Sequence, residues 1–356
     1  MSANDTMNNV SYPCGFSEDP STEKAWKTFM YSVIGFGSLL GNSLVILIIF
    51  KIRGMRSTTN YFILNMAASD VLFTILVIPR LISELHSAPH RWFVGGVLGS
   101  FLCKFDFFIQ DVSTAVSILS LVAIAVDRFY GVVFPMKAGL MGSGTFRRRI
   151  LAATWFVGAL LHSPYFYAYK LYDDTFCLYD WSPFLDHNKT STVYFLIMSI
   201  TFFFFPATIL TIVYSIIIIT LKRQKFPGNQ SVKDKKRVAK RNRSVLRMVV
   251  AVVIVFICCW LPFNVSMYIY LFQWSPANFP CYARSLFFWV IFIAYSNGCI
   301  SPCLYFIFNE NFRQGFTKVF LRGGVRGSIR SNLRSTRRRT DDMSLSTFVR
   351  VRQLSI

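Results

Sequence analysis

Apolar residues run along this chain in long unbroken blocks, not in the alternating or one-sided patterns of water-soluble strands and helices. Seven blocks reach the length that carries a helix across a bilayer, about 18 residues or more. They are roughly 28–51, 60–85, 101–127, 149–169, 192–221, 248–272 and 284–308. The third, fifth and sixth are expected to continue beyond the bilayer as longer helices. The third starts near Cys103 and closes on Asp127-Arg128-Phe129. From Cys103 to Arg128 a helix spans roughly 37 Å at about 1.5 Å per residue. One helix can therefore hold the cysteine at one membrane face and the charged pair at the other. The pattern predicts an all-α membrane protein, a seven-transmembrane helix bundle over 28–308.

The segments around the bundle read differently. Residues 1–27 are polar and lack the apolar core of a signal peptide, so the first span is expected to act as an uncleaved anchor. Phe308, Phe312, Phe316, Val319 and Phe320 recur at helical spacing among Arg313, Lys318 and Arg322. That predicts a short amphipathic eighth helix over 309–321, lying on the inner leaflet. Residues 322–356 are basic and rich in Ser and Thr, and are expected to be a disordered cytoplasmic tail.

Composition agrees: 53% of residues are hydrophobic, only 15% are charged, and mean hydropathy is +0.44. A net charge of +21 raises the question of nucleic acid, but the charge is segregated. Lys51, Arg53 and Arg56, then Lys137 and Arg147–Arg149, then the run from Lys222 to Arg247, all fall in alternate loops, and the tail continues the series. Acids such as Asp5, Glu18, Asp19, Glu23, Glu84, Asp173 and Asp186 fall on the other side. The positive-inside rule then puts the N-terminus outside a plasma membrane, and the basic charge serves topology and the anionic inner leaflet, with no nucleic-acid partner. On that topology Asn4, Asn9 and Asn188 begin glycosylation sequons on the outer side.

Eight cysteines are present. Cys103 and Cys177 both fall outside, where oxidation is allowed, and a bridge between them would pin the second outer loop to the third helix. Cys14 and Cys281 are the other outer pair, either a second bridge or two free thiols. Cys258, Cys259, Cys299 and Cys303 lie within spans as packing residues. Asp70 sits mid-span, and Ser117, Asn297 and Ser301 offer neutral oxygens at similar depth. One carboxylate with neutral ligands suits a hard monovalent cation such as sodium; a neutral, hydrogen-bonded aspartate that helps helices pack is the other reading. Pro79, Pro164, Pro206, Pro262 and Pro302 each interrupt a different span, and kinked helices can splay to open a cavity.

These residues resemble class A (rhodopsin-like) G-protein-coupled receptors over about 28–321, most like the neuropeptide receptors. The landmarks are Gly41-Asn42, Leu64 with Ala68 and Asp70, Cys103, Asp127-Arg128-Phe129 (where the family usually has Tyr third), Trp155, Pro206 with Tyr214, Phe256 with Cys259-Trp260-Leu261-Pro262, and Ser301-Pro302-Cys303-Leu304-Tyr305. The resemblance implies a Cys103–Cys177 bridge and a cell-surface receptor that is not an enzyme. It implies that Arg128 meets a heterotrimeric G protein and that Asp127 restrains it at rest. Trp260 resembles the side chain at the cavity floor; Ile118, Pro206 and Phe256 the trio that relays its movement; Tyr214 and Tyr305 the pair that swings inward. Met136 stands where a bulky residue enters the G-protein pocket. Asn242 replaces the acid that some members place opposite the arginine, so ligand-independent signalling is expected. Asp70, Ser117, Asn297 and Ser301 match the family's sodium pocket, with Ser301 in place of the usual Asn. Phosphorylated tail serines and threonines would recruit arrestin.

The ligand is expected to be a cationic peptide. Amine receptors carry Asp where this chain has Gln110, and opsins carry Lys where it has Tyr295. Asp106 and Gln110 share a helix face. Glu84, Asp111 and Asp174 add negative potential, and Tyr268, Trp289 and Tyr295 add apolar and cation-binding faces. A non-peptide small ligand is the alternative. A transporter would need a polar through-path or an internal repeat, and neither is visible. A membrane hydrolase would need a nucleophile and base or a metal set, but His86, His90, His162 and His187 are not spaced as ligands.

Overall fold

The computed structural model describes residues 19–87, 90–134, 143–223, 232–274 and 280–321; for 232–244, Arg53 and Leu321 it describes the backbone only. Helix α1 (Ser21–Lys51) follows Pro20, whose φ of −52° is already set for a helix start. Helix α2 (Thr58–His86) begins where the Ser57 hydroxyl accepts from the backbone N–H of Asn60. Helix α3 (Gly96–Val133) starts after Gly95, and Gly96 itself takes a left-handed φ of +67°. Helix α4 (Gly144–His162) is capped by Ser143. Helix α5 starts at the Asp186 cap and runs through His187–Ser199, a π-helical bulge at Ile200–Phe204, and Phe205–Arg223. Helix α6 covers Val232–Phe272 and α7 covers Ala283–Phe308, with Pro262 and Pro302 inside them.

Six of these helices, all but α4, are long and apolar enough to cross a membrane. Helix α4 has 19 residues and opens on Arg147–Arg149. The expected fourth span, 149–169, is corrected at its end: the helix stops at His162. Pro164 has no N–H to continue the ladder, and Tyr165–Ala168 forms a single separate turn. Tyr169 already belongs to strand β1 (Tyr169–Tyr172), which pairs antiparallel with β2 (Phe176–Tyr179). Asp173 and Asp174 both adopt positive φ in the connecting turn, a conformation aspartate tolerates.

Helix α3 is the central rod: 67% of its apolar window is buried, against 28–44% in the other long helices. It packs on α2, α4, α5, α6 and β1. Phe36, Phe156, Phe205 and Ile254 point out of the bundle, exposed apolar side chains that a lipid bilayer accommodates and water does not. Helix α8 (Glu310–Phe316) forms a second unit and continues as Thr317–Leu321. Gln314 donates to Glu310 at 3.0 Å, and the rings of Phe316 and Phe320 lie 4.8 Å apart. The tail beyond 321 and the N-terminal segment before 19, with Asn4, Asn9 and Cys14, lie outside the described residues.

Candidate functional site

At one end of the bundle the hairpin packs on α3. A Cys103–Cys177 disulfide joins β2 to α3, with Cα atoms 5.8 Å apart. The backbone N–H groups of Trp92 and Cys177 donate to Thr175 and His90 across the neighbouring loop. Asp174 accepts from the N–H of Gly96 at 3.0 Å, which uses this expected ligand acid to hold the start of α3. Cys281 is disulfide-bonded; its expected partner, Cys14, is among the residues not described. Asp180 anchors the hairpin's far side. Burial favours its neutral acid, but hydrogen bonds from Ser182 and Tyr172, with Lys170 nearby, hold its carboxyl below the usual carboxylate range. Burial and the same Asp180 contact push the Tyr172 phenol up to about 12.

Beneath the hairpin, Arg80 of α2 organises the acids expected to meet a ligand. Its Nε donates to Asp106 at 2.5 Å, one Nη to Glu84 at 2.9 Å and the other to Gln110 at 2.5 Å. Its guanidinium lies 4.2 Å from the Phe107 ring centroid, and Phe107 stacks on Tyr169 at 4.0 Å. Gln110 passes the network on, donating to Asp111 at 3.2 Å, and Asp111 accepts from the Tyr165 hydroxyl at 2.6 Å. Sequence reasoning overlooked Arg80. Its signal was visible: an arginine inside an apolar span, placed i to i+4 before Glu84. Trp289 stacks on Trp26 at 5.5 Å, beside the buried Lys27 that pairs with Asp19 and Glu23. Tyr268 approaches Ser199 of α5 at 3.5 Å, and Ser199 donates to Asn264 at 2.6 Å, joining the turn just before the π-bulge to α6.

Deeper lies a cavity of about 40 Å³. Trp260, Phe256, Tyr295 and Phe73 form its aromatic wall, and Asp70, Ser113, Thr114, Ser117 and Asn297 supply oxygens. Tyr295 packs on Phe73 at 4.8 Å and on Trp260 at 6.3 Å; Trp260 lies 6.4 Å from Phe256. Ser117 donates to Asp70 at 3.1 Å and shares a 2.9 Å hydrogen bond with Ser69. The Asn297 Oδ1 and the Ser113 hydroxyl are buried without hydrogen-bond partners among the described residues. A carboxylate with so few donors, facing neutral oxygens around a small cavity, fits a hard monovalent cation. Ser301 is buried but is not among the cavity-lining residues, so three of the four expected ligands converge there.

Ile118, Pro206 and Phe256 are buried. At the other end, Arg128 donates through Nη2 to Asp127 and to the Thr59 hydroxyl, both at 2.6 Å, and Thr59 donates to Asp127 at 3.0 Å. Thr59 was not foreseen. Among the described residues the buried Tyr214 hydroxyl has no hydrogen-bond partner, whereas that of Tyr305 lies 4.0 Å from the Met66 sulfur. Met136 and the Asn242 side chain lie outside the described residues. Asn188 is exposed in the first turn of α5.

The α2–α3 interface is thus tied by polar side chains at four levels: Thr59 with Asp127 and Arg128, Asn65 with Ser120, Ser69 and Asp70 with Ser117, and Arg80 with Asp106 and Gln110. Asn65 also accepts from the Trp155 indole, adding α4. Asn42 donates to the Gly298 carbonyl at 2.9 Å, tying α1 to α7.

A family model described as "7 transmembrane receptor (rhodopsin family)" matches residues 41–305. A QRFP-like peptide receptor of Branchiostoma floridae is 32% identical over 293 residues, covering 80% of this chain and 74% of that protein. A probable G-protein coupled receptor 19 of Rattus norvegicus is 30% identical over 294 residues, covering 82% and 67%. The neuromedin-K receptor of Homo sapiens is 29% identical over 304 residues, covering 83% and 62%. With a match that spans the helical bundle from the first landmark to the last, the chain belongs to the rhodopsin family of seven-transmembrane G-protein-coupled receptors, which signal and are not enzymes.

Proposed function

We propose that this receptor binds a peptide at the disulfide-bridged end and passes the signal to a heterotrimeric G protein at the Arg128 end. The observation that carries the reading is a polar and aromatic layer under a bridged hairpin, above the Trp260 cavity. A relative named as a QRFP-like peptide receptor aligns over four fifths of the chain. The layer holds three carboxylates, Glu84, Asp106 and Asp111, against one guanidinium, which favours a ligand with a cationic end. In this reading the N-terminus is extracellular, in the plasma membrane, because the basic loops share a side with Arg128. Sodium bound by Asp70, Ser117 and Asn297 acts as an allosteric ion, Asn188 carries a glycan, and the phosphorylated tail recruits arrestin.

The test is a library of amidated peptides applied to cells expressing the full chain with a promiscuous G protein and a calcium readout. Peptides with Arg near the amidated end are expected to respond above mock-transfected cells. A library that raises no response, on cells with receptor at the surface, would sink the peptide reading.

A further inference from the structure

Arg80 is a buried cation in a helix interior, its side chain only 9% exposed. Such a charge is costly at membrane depth unless its partners are close and well aligned. Here each of its three nitrogens has its own acceptor: the Asp106 carboxylate, the Glu84 carboxylate and the Gln110 carbonyl. Its guanidinium lies over the Phe107 ring. Two acid oxygens, an amide carbonyl and an aromatic face are the contacts a peptide arginine would seek. Among the described residues, no other cation forms an ion pair with Glu84 or Asp106. Each carboxylate uses one oxygen on Arg80, and neither makes a further bond to the described residues.

We propose that Arg80 is a resident counter-cation that fills the guanidinium place of the ligand site and so sets the receptor's charge specificity. The inference rests on the reading of this end as the ligand site. Arg80 already supplies one of the positive charges that Glu84, Asp106 and Asp111 call for. It also holds α2 to α3 and, through Gln110 and Asp111, to Tyr165 under the hairpin. Removing it leaves a place shaped and charged for a guanidinium from solution.

The test uses full-length receptor in lipid nanodiscs and two probes of nearly equal shape: N-acetyl-arginine amide, a monocation, and N-acetyl-citrulline amide, its neutral twin. In Arg80→Ala, the arginine probe at about ten times its dissociation constant is expected to raise Tm by about 2–4 °C over the citrulline probe. Wild type is expected to show no such difference. Adding Asp106→Asn to Arg80→Ala is expected to abolish it. Should Arg80→Ala not reach the membrane, the probes are supplied during expression. Surface recovery with the arginine probe alone supports the proposal, and recovery with neither overturns it. Equal shifts in wild type and variant, or equal effects of the two probes, also overturn it.

A second readout separates specificity from plain stability. For peptides active on wild type, the potency ratio of each Arg peptide to its citrulline twin is expected to widen about tenfold in Arg80→Ala, whereas a merely structural loss lowers both equally. An unchanged ratio fails Arg80 and leaves the peptide reading standing. A library with no active peptide fails the peptide reading, and the probe experiment still decides Arg80.

Discussion

The hydroxyl of Thr59 is the smallest group at the Arg128 end, yet it touches both members of the charged pair. It accepts from Arg128 and donates to Asp127, so it fixes the pair in one geometry. Hydrogen bonds to charged groups contribute about 1.5–3 kcal/mol; the Arg128 side chain is 30% exposed, so solvent screening reduces that to about 1 kcal/mol. Thr59→Val keeps the shape and removes the hydroxyl. It is expected to raise ligand-independent signalling about fivefold at equal surface expression, read by a G-protein activation assay. Wild type should itself signal above mock-transfected cells, because position 242 offers an amide and not an acid. The Asp127-Arg128 pair was legible as a motif, but Thr59 was not. Its role comes from another helix, and nothing in Ser57-Thr58-Thr59-Asn60 marks which hydroxyl faces α3. Arg80 was legible as an intramembrane charge, but its partners were not: the expectation that the acids Glu84 and Asp106 and the amide Gln110 face a ligand took no account of a cation already bound to all three.

Helix positions were readable because a bilayer demands long apolar runs, and the six long apolar helices cover six of the seven expected spans. Ends were less readable. Helix α1 begins at Ser21, well before the apolar block at 28, because Lys27 stays buried by pairing with Asp19 and Glu23. The hairpin shows what holds an element that has little core of its own. Its bridge closes a separation of 74 residues, and opening such a loop costs about 4 kcal/mol through chain entropy. Cys177→Ser is therefore expected to abolish most surface expression, measured by flow cytometry on intact cells; near-normal expression would contradict that cost. The hairpin should also be insensitive to mild acid. The Asp180 carboxyl is held below its unfolded value of about 3.9. Its stabilisation is thus fully present above that value and is lost only as pH falls through the lower folded one. Tyr172, raised to about 12, contributes below its unfolded value of about 10 and loses that only as pH rises through about 12. Hydrogen exchange in 169–182 is expected to be the same at pH 5 and pH 8 after correction for intrinsic rates. Opening at pH 5 would show that another group controls the hairpin.

Across the whole molecule, any signal between the two ends must cross what lies between them. The four polar ties join α2 to α3 from Thr59 up to Arg80, and the small cavity opens beside the middle ties, walled by α6 and α7. Trp260 and Asn297 come from those outer helices, while Asp70 and Ser117 come from the tied pair. A cation held between the two groups would bind best when they are close and less well when they separate. By linkage, anything that favours separation must then weaken the cation, and the cation must weaken it to the same degree. Replacing sodium chloride by the salt of N-methyl-glucamine, which is too large for a cavity of about 40 Å³, is expected to raise agonist affinity about fivefold. Asp70→Asn, which removes the charge and keeps an oxygen, should show the higher affinity in both salts. Because Ser301 does not line the cavity, a bound cation would have three side chains rather than four, and the effect should need sodium near extracellular levels. Agonist affinity that is identical in the two salts for wild type would remove the ion from this account and leave Asp70 as a hydrogen-bonded packing residue at the middle of the α2–α3 ties.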